Sequence, residues 1–309
     1  MRVKLPIQPM EPLLAEEPFQ DEAFRYEVKW DGVRALVGIR DGALRIWLRK
    51  GKEIARCFPE LDPLLADKKP VILDGELIVL DESNRPDFSR IVRRLRLQRP
   101  EAIEHARQTM PAVFMVFDLL QLGNHDLRPQ PWRQRREILQ QTVRPSAHVQ
   151  LVESFADGFG LFQVTKQLGL EGIVAKRIDS RYVSGKRHRD WFKIKHFQEV
   201  EASIGGLQRK ADGTWRSVYL GLPKEDGLLT FIGQAASGLT ADDWNWLAQQ
   251  ARRLQRSSPP FVDLPAQASQ RGDVWLQPEL RATVRFQAWT GNGHLRSPVI
   301  KQLYRAALE

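Results

Sequence analysis

Short apolar runs, rich in Val, Ile and Phe and closed off by glycine, proline or acidic residues, recur along this chain and constrain its fold more than any other feature. Such runs form strands rather than long helices. RYEVKW (25–30), VILDGELIVL (71–80), AVFMVFDLL (112–120), HVQLVESF (148–155) and GIVAKRI (172–178) read as strands. PELDPLLAD (59–67), PWRQRREILQQTV (131–143) and DGFGLFQVTKQLG (157–169) read as helices, with Pro131 just inside its helix, where a missing N–H costs nothing. Residues 1–25 are rich in proline and acid and read as a lead-in segment. From residue 200 the texture changes. VEASIGGLQ, WRSVYLGL, LLTFIGQA and RATVRFQAW are short strands parted by the turn signals ADG, KEDG and TGNG, with one helix over 240–254. That pattern suits a small β-barrel of the OB type. The expected domains are 1–198 and 199–309.

Charge narrows the partner. Lys and Arg number 47 against 38 Asp and Glu, a net charge of +9, which points to a polyanion such as nucleic acid. Residues 84–99 hold six Arg against one Asp, and residues 176–196 hold eight Lys and Arg against two Asp. The lone Cys57 excludes an internal disulfide framework. No secretory signal opens the chain and no apolar run is long enough to span a bilayer, so the expected location is the cytoplasm, with no membrane partner. None of the six His sits at zinc spacing.

The chemistry concentrates in an ordered series of short motifs. Glu27-Val28-Lys29-Trp30-Asp31-Gly32-Val33-Arg34 places a lysine at a strand end beside a turn-forming Asp-Gly. Alone, the tetrapeptide Lys29-Trp30-Asp31-Gly32 reads rather as a surface lysine beside a hairpin turn. It is followed by Leu48-Arg49-Lys50-Gly51, Leu73-Asp74-Gly75-Glu76-Leu77, Val116-Phe117-Asp118-Leu119-Leu120, Glu171-Gly172-Ile173-Val174-Ala175-Lys176, Trp191-Phe192-Lys193-Ile194-Lys195 and Leu295-Arg296-Ser297-Pro298. The order resembles motifs I, Ia, III, IIIa, IV, V and VI of the covalent nucleotidyltransferases, specifically the ATP-dependent DNA ligases. YEVKWDGVR and SGKRHRDWFKIK look most like the ligase domain of bacterial end-joining ligases. The resemblance implies an α+β nucleotidyltransferase domain, of the ATP-grasp-like ligase type, followed by an all-β OB-fold barrel domain.

It also implies roles. Lys29 becomes the AMP-bearing nucleophile; a lysine amine attacks phosphorus only when deprotonated, and nearby cations such as Lys193 and Lys195 favour that form. Those two lysines alternate along a strand, share one face, and would meet the α-phosphate. Glu27 would accept from the adenine amino group, Phe117 and Val174 would stack on the two faces of the ring, and Glu76 would hold the ribose. Arg34 and Arg49 would contact ribose, phosphate or DNA. Glu171, with Asp31, would hold Mg²⁺ or Mn²⁺, hard cations that suit oxygen ligands. Arg296 and Lys301 would orient the departing pyrophosphate. Arg296, Pro298 and Lys301 keep the family's last motif, whereas Gln302 and Tyr304 depart from it, and the departures put only those two positions in doubt.

The expected activity is ATP-dependent sealing of nicked duplex DNA through lysine–AMP and DNA–adenylate, with domain motion about a hinge near 196–200. Some 25 residues precede the first motif strand, which leaves no room there for a large DNA-clasping domain. The expected form is a compact monomer, with end-joining proteins such as Ku as candidate partners and the arginines of 85–99 as a further DNA contact. The alternatives are an RNA ligase or a capping guanylyltransferase, which Glu27 disfavours because capping needs GTP, and a catalytically silent nucleic-acid-binding protein on the same scaffold.

Overall fold

The structure, a computed structural model, describes residues 6–40, 42–67 and 70–305. The chain divides into two compact units, Met1–His196 and Phe197–Glu309.

The first unit is built on two sheets. One runs β1 (Glu11–Ala15), β11 (Arg187–Lys195), β10 (Gly172–Arg177), β2 (Phe24–Val28), β9 (Ser154–Phe155), in that spatial order. The other runs β4 (Ala43–Leu48), β3 (Val33–Arg40), β5 (Val71–Val79), β6 (Ala112–Leu122), β7 (His125–Asp126), with β8 (Val149–Leu151) pairing β6 in parallel. Four helices accompany them: α1 (Phe88–Leu95), α2 (Pro100–Thr109), α3 (Trp132–Thr142) and α4 (Gly158–Gln167). A large apolar core covers one face of the second sheet, with Val37, Leu73, Phe114, Leu119 and Leu139 fully buried. A smaller cluster joins residues of both sheets, among them Leu36, Ile72 and Leu120 from the second and Trp191 from the first. β5 and β6 are apolar almost throughout, as strands covered on both faces must be.

Four local readings change. The run 148–155 is two short strands, β8 pairing β6 in the second sheet and β9 pairing β2 in the first. The run 59–67 is a 3₁₀ helix with Pro63 inside it; proline lacks the N–H that an α-helix interior requires. Pro131 stands immediately before the first helical residue rather than within the helix. The lead-in segment contains β1, which pairs in parallel with β11 along the edge of the first sheet. The arginine block of 84–99 contains α1, whose N-cap Asp87 accepts from the backbone N–H of Ser89 and Arg90.

The second unit is the OB-type barrel that the strand texture suggests. Its sheet runs β14 (Leu229–Ala235), β13 (Trp215–Pro223), β12 (Gln198–Arg209), β16 (Val274–Phe286), β15 (Gln255–Arg256), with β19 (Val299–Arg305) pairing β16 and a small hairpin of β17 (Ala288–Trp289) and β18 (Leu295–Arg296). Alternate residues such as Ile204, Leu220, Leu280 and Val284 fill its core. α5 (Ala241–Leu254) begins with a capping box in which Thr240 and Asp243 satisfy each other's backbone N–H. Among the described residues, no helix is long and apolar enough to cross a membrane.

Candidate active site

A cavity of about 220 Å³ is lined by residues of both sheets of the first unit. Glu27, Lys29, Arg34, Arg49, Glu76, Phe117, Val174, Lys193 and Lys195 all line it, from seven separate segments of the chain. Strand register explains part of the convergence. Val174 lies opposite Glu27 on one side and Lys193 on the other, so the three form a row across the first sheet. In the second sheet Arg34 lies opposite Glu76.

Lys29 follows the end of β2 and is locked to β10: its N–H donates to the Gly172 carbonyl at 2.9 Å. Gly172 also permits the close approach of β11 on its other side. Its φ is +144°, and a Cβ there would stand 2.1 Å from the Ile194 carbonyl oxygen. The Lys29 amine donates to Glu171 Oε2 at 2.5 Å, and Lys195 reaches Oε1 of the same carboxylate at 2.8 Å. The carboxyl of Glu171 is lowered because these two ammonium groups outweigh the burial that opposes ionisation. The immediate neighbour of the expected nucleophile is thus a carboxylate, with the cations one step further out. Lys193 makes no ion pair among the described residues; burial, followed by the charges of Lys195 and Lys29, pushes its pKa down.

On the opposite wall the Glu76 carboxyl is pushed up to about 8, by burial first and then by the charge of Glu171 against Lys29 and Arg34. Arg34 does not project freely into the cavity. It grips Asp74 through Nε (2.6 Å) and Nη2 (2.7 Å), and Tyr182 donates to the same Asp74 at 2.5 Å. Its guanidinium also lies 4.5 Å from the centre of the Phe117 ring. Arg49 sits on the rim and pairs with Glu11 at 3.1 Å, a carboxylate that also meets Arg187 at 3.4 Å.

Glu27 is 2% exposed, and Lys176 clamps its Oε2 at 2.6 Å. Oε1 has no hydrogen-bond partner. Burial pushes Glu27 up and Lys176 down, while their attraction works against both shifts. Lys176 also lies 4.2 Å from the Phe117 ring centre and 4.6 Å from that of Trp191.

Lys176, Trp191, Trp30 and Glu11 also line the cavity, although sequence reasoning gives none of them a role there. Lys176 follows Val174 by two along one strand, and Trp191 precedes Lys193 by two, so the alternation that marks Val174 and Lys193 also marks these two. Neither Asp31 nor Glu171 lines the cavity itself; Glu171 adjoins it through Lys29 and Lys195. Arg296 lies on β18, paired with Ala288, and Lys301 on β19; both belong to the second unit. Gln302 lies opposite Thr283, and Tyr304 opposite Arg281.

Two family profiles match this chain: one described as ATP dependent DNA ligase domain over residues 10–195, and one described as ATP dependent DNA ligase C terminal region over residues 211–305. The chain belongs to the ATP-dependent DNA ligases. The Mycobacterium tuberculosis multifunctional non-homologous end joining DNA repair protein LigD is 35% identical over 278 residues, covering 88% of this chain and 35% of that protein. DNA ligase C1 of Mycolicibacterium smegmatis is 34% identical over 307 residues, covering 93% of this chain and 86% of that one. The crystal structure of the ligase domain of M. tuberculosis LigD matches with 31% identity and a TM-score of 0.57 over 96% of this chain and 95% of its own. This chain spans only 35% of the length of the multifunctional end-joining relative.

Proposed function

We propose that the cavity binds ATP, that Lys29 takes up AMP covalently, and that the AMP then activates the 5′-phosphate of nicked duplex DNA for sealing. The observation that carries the reading is that Lys29 and Lys195, bridged by Glu171, line one cavity with a base-side carboxylate and an aromatic ring. Glu27 lines the cavity and its carboxylate would accept from the adenine amino group, whereas guanine would present its carbonyl oxygen there and meet a carboxylate. Phe117 and Val174 contribute the apolar surfaces that a purine needs, and Glu76 faces the ribose. Lys193, which has no ion-pair partner among the described residues, receives the α-phosphate together with Lys195.

The first step is a substitution at phosphorus. The Lys29 ammonium sheds a proton, its nitrogen bonds to the α-phosphorus, and the bond from phosphorus to the pyrophosphate oxygen breaks. Arg296 and Lys301 are the groups proposed to steady the departing pyrophosphate. In the second step a 5′-phosphate oxygen displaces Lys29; in the third a 3′-hydroxyl loses its proton, attacks, and releases AMP. Glu171, held below the usual carboxylate range, keeps a negative charge beside Lys29, so the first step calls for additional positive charge.

Among the described residues, no cluster of three or more His, Cys, Asp or Glu could hold a metal ion alone. Glu171 offers hard oxygens whose charge two lysines already balance, a donor set that fits an ion arriving with the nucleotide's own phosphate oxygens. Bound Mg²⁺ or Mn²⁺ would supply positive charge beside Lys29 and the α-phosphate. Action as a monomer in the cytoplasm, alongside end-joining proteins such as Ku, completes the proposal; the names of the relatives support the end-joining context.

The test incubates protein with α-labelled ATP or GTP and a divalent metal, then denatures it. The expected result is acid-labile label from ATP alone, absent in Lys29→Ala, followed by sealing of a nicked duplex. No label, even after pyrophosphate treatment to clear prior AMP, overturns the covalent mechanism in favour of a silent binding protein.

A further inference from the structure

The helix α3 carries two consecutive buried arginines, and only one has an evident structural purpose. Arg135 is fully buried and bonds Asp118 through two nitrogens at 2.7 and 2.8 Å, and its Nη1 reaches the carbonyls of Gln130 and Ser180 at 2.7 and 2.9 Å. Arg136 is 8% exposed, and neither its Nε nor its Nη1 has a hydrogen-bond partner. A buried guanidinium with unused donors is costly and calls for an explanation. Its nearest anion is Glu27: Nη1 lies 3.8 Å from Oε1, the very oxygen of that carboxylate that nothing else bonds.

We propose that Arg136 is a specificity-determining positioning residue: with Lys176 it forms a two-cation cradle that keeps Glu27 ionised, so that its carboxylate only accepts and the site selects adenine over guanine. The proposal rests on the nucleotide reading of the cavity. Arg136 does not line the cavity and acts through Glu27.

The chemistry follows from what a carboxyl presents in its two states. Ionised, Glu27 offers only acceptors, which match the amino group of adenine and repel the carbonyl of guanine. Protonated, it offers a donor as well, and the discrimination is lost. Burial favours the protonated state. Lys176 from β10 and Arg136 from α3 oppose it; the charged group working with burial is Asp118 on β6, which Arg135 itself neutralises. With Lys176 alone, a 2%-exposed carboxyl also feeling Asp118 would ionise less readily, so removing Arg136 should impair ATP binding more as pH falls.

The test is Lys29 adenylylation by ATP, GTP and an ATP analogue without the 6-amino group, from about pH 6 to 8.5, a range that brackets the ordinary working range of such a site. Arg136→Met is expected to raise KM for ATP about tenfold or more at the acid end, the effect of one hydrogen bond to a charged acceptor, with less effect at the alkaline end and kcat nearly unchanged. KM for the analogue should hardly move, and Arg136→Lys should restore most of the ATP preference. In Glu27→Gln, adding Arg136→Met should cost no further ATP affinity. Equal effects on ATP and the analogue, or additive effects in the double variant, would reduce Arg136 to a packing residue and overturn the proposal. Should Arg136→Met fail to fold, the wild type still decides. Its preference for ATP over the analogue should hold across the whole range, and a collapse of that ratio at the acid end rejects a cradle that keeps Glu27 charged. Complete absence of labelling in wild type with every nucleotide is a different outcome: it removes the ATP reading itself.

Discussion

Two buried ion clusters in the first unit use the same residue types to opposite ends. Arg94 and Glu60 are both fully buried and meet through two nitrogens at 2.7 and 3.0 Å. Almost all their remaining capacity is filled. Arg94 also reaches the carbonyls of Met110 (2.7 Å) and Cys57 (2.6 Å), and Glu60 accepts from the Ala112 N–H at 2.9 Å. Only Arg94 Nε is left over. This cluster ties α1, α2 and the 3₁₀ segment 59–67 to the start of β6, away from any ligand. The Glu27–Lys176–Arg136 cluster is buried almost as deeply but leaves one carboxylate oxygen and two guanidinium nitrogens without hydrogen bonds, and its Glu27 and Lys176 line the cavity whereas Arg136 does not. Saturation marks a fastening. Unused capacity next to a cavity marks a site that completes its bonding with a ligand.

The comparison breaks most visibly at the cavity itself. Glu171→Gln removes the charge that holds both Lys29 and Lys195, and should slow Lys29 adenylylation by about 10²-fold or more. The melting temperature should fall less than for a saturated buried pair, since glutamine keeps an acceptor for the two lysines. An adenylylation time course beside a thermal melt checks both halves; a large drop in stability with normal labelling would assign Glu171 to the fastening class. Arg94→Met should do the reverse. It strands Glu60 as an unpaired buried carboxylate and should cost about 3–5 kcal/mol of unfolding free energy by urea titration. Its KM for ATP, measured where the variant remains folded, should stay at the wild-type value.

The two clusters also differ in how legible they are in the sequence. The cavity residues sit in motifs with a fixed order, and alternation along β10 and β11 places Val174, Lys193 and Lys195 on shared faces. Lys176 escapes notice because a lysine in an apolar strand reads as a strand-end charge, and nothing local reveals that Glu27 waits across the strand pair. Arg94 disappears into a basic block, since composition cannot tell an arginine that faces water from one that faces Glu60, 34 positions earlier. The lead-in strand β1 is hidden for the related reason that five residues with a proline carry little strand signal until β11 supplies the partner. The barrel is more readable because its strands pair mostly with chain neighbours across turns marked by glycine.

Glu76 offers a pH test of the same contrast between groups that are compensated and groups that are not. Its carboxyl titrates near 8 in the folded chain, against an ordinary value of 4.5. The unfolded chain therefore releases this proton first as pH rises. Folded stability from this group is fully present below the unfolded value and is lost as pH climbs through about 8. Glu76→Gln removes the titration, so its melting temperature should fall less than that of the wild type between about pH 5 and 8, a difference of a few kcal/mol at most. Parallel melting curves for the two proteins across that range would show that Lys29 and Arg34 already compensate the charge.

The smallest expected effect separates paired from unpaired cations along one arginine-rich surface segment. Of the six arginines in 84–99, Arg94 is buried against Glu60, and Arg90 bonds Glu82 at 2.5 Å with Asp87 at 3.3 Å. Arg93, Arg96 and Arg99 are exposed and make no ion pair among the described residues. A phosphate backbone can be neutralised only by charge that is not already neutralised, so the expected DNA contact narrows to these three and their neighbour Arg85. Changing Arg93, Arg96 and Arg99 together to Gln should flatten the dependence of log K on log salt by up to roughly 0.9 for each phosphate that the protein no longer neutralises. Arg90→Gln should leave that slope within error, because Glu82 and Asp87 already hold its charge. Binding of a nicked duplex between about 50 and 200 mM salt tests both variants. Equal slopes in all three proteins would return the whole block to the status of a solvated face, and an effect from Arg90 alone would mean that DNA outcompetes two carboxylates for it.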